Sequence, residues 1–136
     1  MNNQEHLLQL AENVASNAYA PYSRLKVGAA ISTPTGNFYT GCNVENATYT
    51  PTNCAERTAF FKAISEGEKE FIAIAIAGGA GDSPEGQFPP CGVCRQVMRE
   101  FCEDDFMLYL VDEKGYTAAT LAEILPFSFS AKKHMG

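Results

Sequence analysis

Three cysteines and one glutamate of this chain have the types and spacing of a catalytic metal site. Cys91 and Cys94 form a C-x-x-C pair, and Cys54 lies two residues before Glu56. Three thiolates leave one corner of a tetrahedral Zn²⁺ ion for water, whereas a structural zinc site normally closes that corner with a fourth side chain. The pattern therefore predicts a zinc ion held by Cys54, Cys91 and Cys94, with Glu56 as a nearby acid that moves protons and does not bind the metal.

A purely structural zinc site is the alternative interpretation of the same cysteines. Cys42 or Cys102 would then supply a fourth ligand, and Glu56 would be an ordinary acid at a helix N-terminus. Such a site usually contains a second closely spaced cysteine pair, which the sequence lacks. We therefore favour the open site, and we expect Cys42 to be a buried strand residue and Cys102 a small core residue at a helix end.

Arg57 is a candidate for balancing the charge of this site. Three thiolates on one Zn²⁺ ion leave a net negative charge, which opposes lowering the pKa of a bound water. Arg57 stands three residues after Cys54 and can turn back to donate hydrogen bonds to the thiolate sulfur. The alternative for Arg57 is a surface salt bridge with Glu66 or Glu68.

The composition predicts one domain, over residues 1–136, that acts on a small molecule. The chain has 136 residues, 46% of them hydrophobic, which is enough for one packed core. The net charge of -6 argues against a nucleic-acid partner, because affinity for nucleic acid rests largely on Lys and Arg. No apolar run approaches the roughly 18 residues of a membrane span and no signal peptide is recognisable, so we expect a cytoplasmic protein without a membrane partner.

Hydrophobic periodicity predicts helices alternating with strands. Helical spacing covers residues 4–17, 54–66 and 91–101, and a short helix follows Thr120, with Glu123 completing a capping box. Strands are predicted at 26–32, 37–43, 71–77, 106–111 and near 116, and 78–90 is a Gly- and Pro-rich loop. This order predicts an α/β fold, a three-layer α/β/α arrangement with a mixed five-stranded sheet. If the helices that begin at Cys54 and Cys91 run parallel on one face, both N-termini converge on the metal.

Several strings of the chain resemble the small, homotetrameric, zinc-dependent cytidine deaminases. They are Y-S at 22–23, V-G-A-A at 27–30, G-C-N-V-E-N-A at 41–47, C-A-E-R-T at 54–58, P-C-G-V-C-R-Q at 90–96 and E-I-L-P at 123–126. They occur in the family's order over nearly the whole chain, and zinc deaminases share the nonligating glutamate and the P-C-x-x-C string. The resemblance implies the cytidine deaminase fold, a homotetramer and one zinc ion per subunit.

The resemblance also implies a reaction: hydrolytic deamination of cytidine and deoxycytidine to uridine and deoxyuridine, with release of ammonia, in pyrimidine salvage. Hydroxide on the zinc ion would attack C4 of the pyrimidine. Glu56 would carry a proton to N3 and later to the departing amine.

In the family, the residues that match Asn43 and Glu45 hold the ribose hydroxyl. Asn43 and Glu45 are separated by one residue at the end of a predicted strand, so both side chains can point to the same face. The alternative interpretation is that Asn43 is an ordinary turn residue and Glu45 is a solvated acid, without a role in binding. A buried Glu45 would also repel a phosphate on the sugar, so we hypothesise a preference for nucleosides over nucleotides.

Three more substrate contacts follow from the resemblance. The backbone N–H of Ala55 would contact the base. The side chain of Phe129, or alternatively that of Phe127, would extend across a subunit interface into the neighbouring subunit's site. Core packing is the alternative for either phenylalanine. Leu25 stands where the family commonly has Phe, so the contact with the base would be apolar but without stacking.

Three other functions fit part of the pattern. One is a catalytically silent zinc module that mediates interactions, which would contain the same cysteines. Another is the blasticidin-S deaminase branch, against which the segment 43–47 argues. The third is an editing enzyme for RNA or DNA, which the acidic composition disfavours.

Overall fold

The computed structural model describes residues 2–81 and 85–136 and contains five strands and five helices within them. The strands are β1 (Lys26–Ser32), β2 (Phe38–Cys42), β3 (Ala73–Gly79), β4 (Met107–Asp112) and β5 (Gly115–Thr120). The helices are α1 (Asn3–Ala15), α2 (Ala55–Ser65), α3 (Gly92–Phe101), α4 (Leu121–Ile124) and α5 (Ala131–His134).

The five strands form one mixed sheet in the order β2-β1-β3-β4-β5. β3 and β4 are parallel and are joined through α3, whereas the other three neighbouring pairs are antiparallel. A parallel pair needs a crossover connection, and a helix that covers one sheet face is the usual solution. The predicted mixed five-stranded sheet is therefore confirmed.

The two faces of β3 separate the core into two layers. Ile74 and Ile76 face a cluster that includes residues of α2 and α3, while the alternating alanines of β3 face α1. Every residue of β3 is buried, as expected of a central strand covered on both sides. α1 thus lies on one face of the sheet and α2 and α3 on the other, which confirms the three-layer arrangement.

Glycines on β1 and β2 allow the helices to approach the sheet closely. A Cβ atom on Gly28 would lie 2.1 Å from the carbonyl oxygen of Ala11 in α1. On the other face, a Cβ atom on Gly41 would lie 2.4 Å from the amide nitrogen of Ala59 and 2.6 Å from the carbonyl oxygen of Ala55 in α2. These atoms belong to the backbone, so a side chain at either position requires the helix to move.

The bounds of β3, and of the loop that follows it, differ from the sequence-based expectation. β3 was predicted at 71–77 but spans Ala73–Gly79, because its pairing with β1 continues to Gly79 opposite Lys26. Phe71 instead packs edge-on against Phe60. The loop predicted at 78–90 therefore starts later, and its residues 82–84 lie outside the described part of the chain.

The C-terminal part contains one predicted and one unpredicted helix. Thr120 and Glu123 form the expected capping box of α4. α5 has only one turn, capped by the side chain of Ser130, and its four residues are too few for a periodic signal. Within the residues described above, no helix has the length and apolar character needed to cross a membrane.

Candidate metal centre and active site

The three cysteines of the predicted metal site meet where α2 and α3 begin. Cys54 is the N-cap residue of α2 and Cys91 that of α3, and Cys94 lies in the first turn of α3. The three sulfur atoms lie within 4.8 Å of one another, and in residues 2–81 and 85–136 no fourth His, Cys, Asp or Glu joins the group. Helix N-termini carry partial positive charge, which favours thiolate over thiol at this point.

Hydrogen bonds from neighbouring side chains favour a thiolate at Cys54. Its pKa falls to about 5, chiefly because the Cys94 thiol hydrogen-bonds to its sulfur and also because Arg57 donates to the same atom. The pKa of Cys94 is raised, first by that hydrogen bond and then by burial. Since thiolates are the form that binds a metal ion, zinc would displace the proton of this hydrogen bond when it binds.

Arg57 contacts the sulfur cluster from one side. Its Nη2 donates to Cys54 Sγ at 3.3 Å, and this hydrogen bond is the main cause that raises the pKa of the guanidinium. In the described ranges Arg57 makes no salt bridge with Glu66 or Glu68, and Glu68 accepts hydrogen bonds from Asn37 and Tyr39 instead. Three sulfur ligands with a cation beside them fit a zinc ion.

Glu56 is a buried acid beside this cluster but not part of it. Its side chain is 4% exposed in the first turn of α2, and burial raises its pKa to about 7. The negative charge of Cys54 acts in the same direction, while Arg57 acts against it. An acid with a pKa near neutrality is able both to accept and to donate a proton.

A cavity of about 270 Å³ opens beside the cluster, and most of the predicted site residues line it. The predicted residues along its wall are Leu25, Asn43, Glu45, Cys54, Ala55, Glu56 and Cys91. Cavities for drug-sized ligands start at about 300 Å³, so this one is suited to a small molecule. The N–H of Ala55 belongs to the first turn of α2, where N–H groups have no acceptor within the helix.

Sequence reasoning missed part of the cavity wall. Val27, Phe88 and Pro89 also line it, and Phe88 and Pro89 come just before the C-x-x-C pair. Their position next to Cys91 was the available signal. A larger cavity of about 470 Å³, lined by Arg99 and Lys132 among others, has none of Cys54, Cys91 and Cys94 in its wall, so size alone does not locate the site.

Asn43 bridges the start of β1. Its Oδ1 accepts from the N–H of Val27 at 2.8 Å, and its Nδ2 donates to the carbonyl oxygen of Leu25 at 2.9 Å. An amide side chain has two N–H groups and two acceptor positions, so one of each remains for a ligand. Leu25 is 41% exposed and presents an apolar surface to the cavity.

Glu45 is fixed by the loop that precedes β1. One carboxylate oxygen accepts from the N–H groups of Tyr22 and Ser23 at 2.9 and 3.1 Å, and the other accepts from the hydroxyl of Ser23. These hydrogen bonds, led by that of the Ser23 hydroxyl, lower the pKa of Glu45. The sequence hypothesis assumes a buried Glu45, but the side chain is only half-buried in the wall of the cavity.

The two phenylalanines of the C-terminal segment do not reach this cavity within one chain. Phe129 is 57% exposed and stacks on His134, and Phe127 is fully exposed with φ of +54°. Neither lines the cavity beside the cysteines. Core packing within the chain, the alternative weighed for them, does not describe their surroundings.

The remaining cysteines lie outside the cluster. Cys102 is buried at the C-terminal end of α3, where burial raises its pKa to about 12. Cys42 is only half-buried at the end of β2, and burial raises the pKa of its thiol too. A zinc site with either as fourth ligand is not found in the part of the chain that the structure describes.

Removing one of the three clustered sulfurs is expected to abolish stable zinc binding. Purified wild-type chain should contain about one zinc ion per chain by elemental analysis, and Cys54→Ala should contain almost none, because two thiolates bind zinc far more weakly than three. Cys42→Ala is the matched control and should keep its zinc. Loss of zinc in Cys42→Ala as well would contradict the three-sulfur site.

Comparison with known sequences places this geometry in a family. The sequence model of the cytidine and deoxycytidylate deaminase zinc-binding region matches residues 1–110. The cytidine deaminase of Sporosarcina psychrophila is 46% identical over 127 residues, which cover 93% of this chain and 90% of that protein. The cytidine deaminase of Halalkalibacterium halodurans is 45% identical over 127 residues, covering 93% of each chain.

Solved structures agree with the sequence comparison. The crystal structure of the cytidine deaminase from Burkholderia pseudomallei superposes with a TM-score of 0.86 at 40% identity, covering 95% of this chain and all of the other. That of the Mycobacterium tuberculosis cytidine deaminase gives a TM-score of 0.79 at 33% identity, covering 95% and 98%. This chain therefore belongs to the cytidine and deoxycytidylate deaminase zinc-binding family.

Proposed function

We propose that this protein is a zinc-dependent cytidine deaminase that hydrolyses cytidine and deoxycytidine to uridine and deoxyuridine. One water molecule supplies the oxygen that replaces the amino group at C4 of the pyrimidine, and ammonia leaves. Relatives at 46% and 45% identity carry the name cytidine deaminase, which supports a nucleoside substrate. The proposed cellular role is pyrimidine salvage in the cytoplasm, performed by residues 1–136 as one domain.

One observation carries the proposal: cysteines of the metal-binding cluster, a buried acid and two further polar side chains line one small cavity. Cys54 and Cys91 line the cavity together with Glu56, and Asn43 and Glu45 line it as well. A purely structural zinc site has no need of a cavity or of a buried acid beside it. Convergence of polar groups with shifted pKa values on one cavity supports catalysis.

Glu56 is proposed to move the protons of the reaction. Hydrolytic deamination requires a group that accepts a proton from the attacking water and delivers protons to N3 of the ring and to the departing amine. Glu56 lines the cavity and stands outside the sulfur cluster, which supports a role in proton transfer and not as a metal ligand. Its burial keeps bulk water from competing for these protons.

Cys54, Cys91 and Cys94 are the proposed zinc ligands, and Arg57 is proposed to tune them. When bound, zinc supplies the chemistry of lowering the pKa of a water molecule to about 7, which makes that water a nucleophile. Three thiolates donate much charge to the ion and oppose this effect. The hydrogen bond from Arg57 to Cys54 withdraws part of that charge.

The opposite end of the cavity is proposed to bind the sugar. Asn43 keeps one N–H and one acceptor position free, and Glu45 is an acceptor in the cavity wall. The base would then lie between Leu25 and the first turn of α2, where the N–H of Ala55 is available. Leu25 supplies apolar contact without the roughly 0.5–1.5 kcal/mol that an aromatic pair adds beyond burial.

Replacing Glu56 is expected to remove activity while leaving the metal in place. Glu56→Gln keeps the shape of the side chain but not its proton transfer, so kcat for cytidine should fall by about 10²- to 10⁴-fold. The measurement is the loss of absorbance as cytidine becomes uridine, with zinc content determined on the same sample. Glu66→Gln, an exposed acid at the end of the same helix, is the matched control and should keep wild-type activity.

The same assay separates the proposed enzyme from the other candidate, a silent zinc module. Equal and negligible rates for zinc-loaded wild type and Glu56→Gln would favour the silent module. A wild-type rate that disappears only in Glu56→Gln supports the deaminase.

The proposed preference for nucleosides over nucleotides rests on the charge of Glu45. The carboxylate at the sugar end should disfavour a phosphate, so kcat/KM for cytidine should exceed that for CMP by about tenfold or more. Glu45→Gln removes the charge and should narrow this ratio, whereas Glu12→Gln on α1 should leave it unchanged. Comparable kcat/KM values of the wild type for cytidine and CMP would contradict the proposed preference for nucleosides.

A homotetramer is proposed because Phe129 is solvent-exposed in the single chain and does not reach its own cavity. Exposed aromatic side chains are typical anchors of interfaces. The mass in solution should be four times that of the chain, and Phe129→Ala should raise KM for cytidine more than Phe127→Ala does. A monomeric wild type with full activity would contradict this proposal.

A further inference from the structure

We propose that Ser23 is a positioning residue of the sugar end of the cavity, where its side chain fixes Glu45 and Leu25 relative to each other. The inference rests on the proposed function, because it assigns Glu45 to the sugar and Leu25 to the base. Ser23 itself is placed at the cavity wall beside both residues. It acts through Glu45 and Leu25 and performs no chemistry of its own.

The hydroxyl of Ser23 connects the two residues directly. It donates its proton to one carboxylate oxygen of Glu45 and accepts the N–H of Leu25 at 3.1 Å. The backbone N–H of Ser23 donates to the other oxygen of the same carboxylate at 3.1 Å. A serine hydroxyl has one proton and two acceptor positions, so the two contacts of the hydroxyl are compatible with each other.

Asn43 completes the connection from the other side. Its amide group donates to the carbonyl oxygen of Leu25, so both backbone polar groups of Leu25 are held by side chains. Glu45 and Asn43 belong to one short segment after β2, and Ser23 and Leu25 to the loop before β1. The hydroxyl of Ser23 is thus one of the contacts that join these two cavity walls.

The backbone of this loop requires such support. Arg24, between Ser23 and Leu25, has φ of +62°, a left-handed conformation that is costly for a residue with a side chain. Residues 24–25 belong to no helix or strand, so the strained turn is stabilised by its hydrogen bonds. Loss of the Ser23 hydroxyl would release the N–H of Leu25 and one oxygen of Glu45 together.

Because Ser23 acts on the sugar end, its effect should depend on the sugar of the substrate. Ser23→Ala should raise KM for cytidine about tenfold and change kcat by less than about twofold, since ground-state binding is lost but the chemistry is not. With 2′,3′-dideoxycytidine, which lacks the secondary sugar hydroxyls, Ser23→Ala should raise KM clearly less than it does with cytidine, because only the contact through Leu25 is then affected. Ser23→Thr, which keeps the hydroxyl, should restore the KM for cytidine towards the wild-type value.

The controls separate this inference from the proposed function. Ser16→Ala removes another exposed serine hydroxyl, which donates to the carbonyl of Asn13 at the end of α1, and should change neither KM. Ser23 is exposed and its loop lies outside the core, so Ser23→Ala should loosen the loop without lowering the unfolding temperature of the domain, which thermal unfolding checks. Equal changes of KM for both nucleosides, or no change for either, would overturn the role of Ser23 and leave the deaminase standing. A wild type that does not deaminate cytidine would overturn both.

Discussion

The N-termini of α2 and α3 begin side by side at one end of the sheet, and the arrangement of the proposed site depends on this. Each helix starts at a cysteine N-cap, so two helix ends with partial positive charge face the same group of sulfur atoms. The parallel pairing of β3 and β4 requires a crossover, and α3 is that crossover on the face that α2 already covers. The metal cluster is therefore a result of the topology, and its ligands come from segments 37 residues apart.

A second consequence of this arrangement is a division of tasks along one cavity. At the α2 end, burial shifts the pKa of Glu56 towards neutrality, because a carboxylate loses hydration there. At the other end, Glu45 is a carboxylate with a lowered pKa, because three donors of one loop stabilise its charge. The two glutamates thus differ in pKa because of their surroundings, and their proposed roles follow this difference.

Much of the fold could be predicted from the sequence, since periodicity and capping are local signals. β1 has the predicted bounds, and the Thr120 capping box is present. The ends of β3 could not be predicted, because an alternating Ile and Ala pattern contains no signal for where a strand begins or ends. Only the pairing of Gly79 with Lys26 shows where β3 ends. The spacing of the cysteines indicated the cluster, but the hydrogen bonds of Ser23 and the wall formed by Phe88 depend on loop conformations that no periodic pattern describes.

The close approach of α2 to β2 at Gly41 links the two ends of the cavity. Gly41 lies two residues before Asn43, and the carbonyl oxygen that its missing side chain leaves room for belongs to Ala55, the residue after Cys54. The close backbone contact at Gly41, which does not line the cavity, therefore helps to set the separation between α2 and the segment proposed to bind the sugar. The width of the proposed nucleoside cavity therefore depends on residue 41, which is not part of the cavity wall.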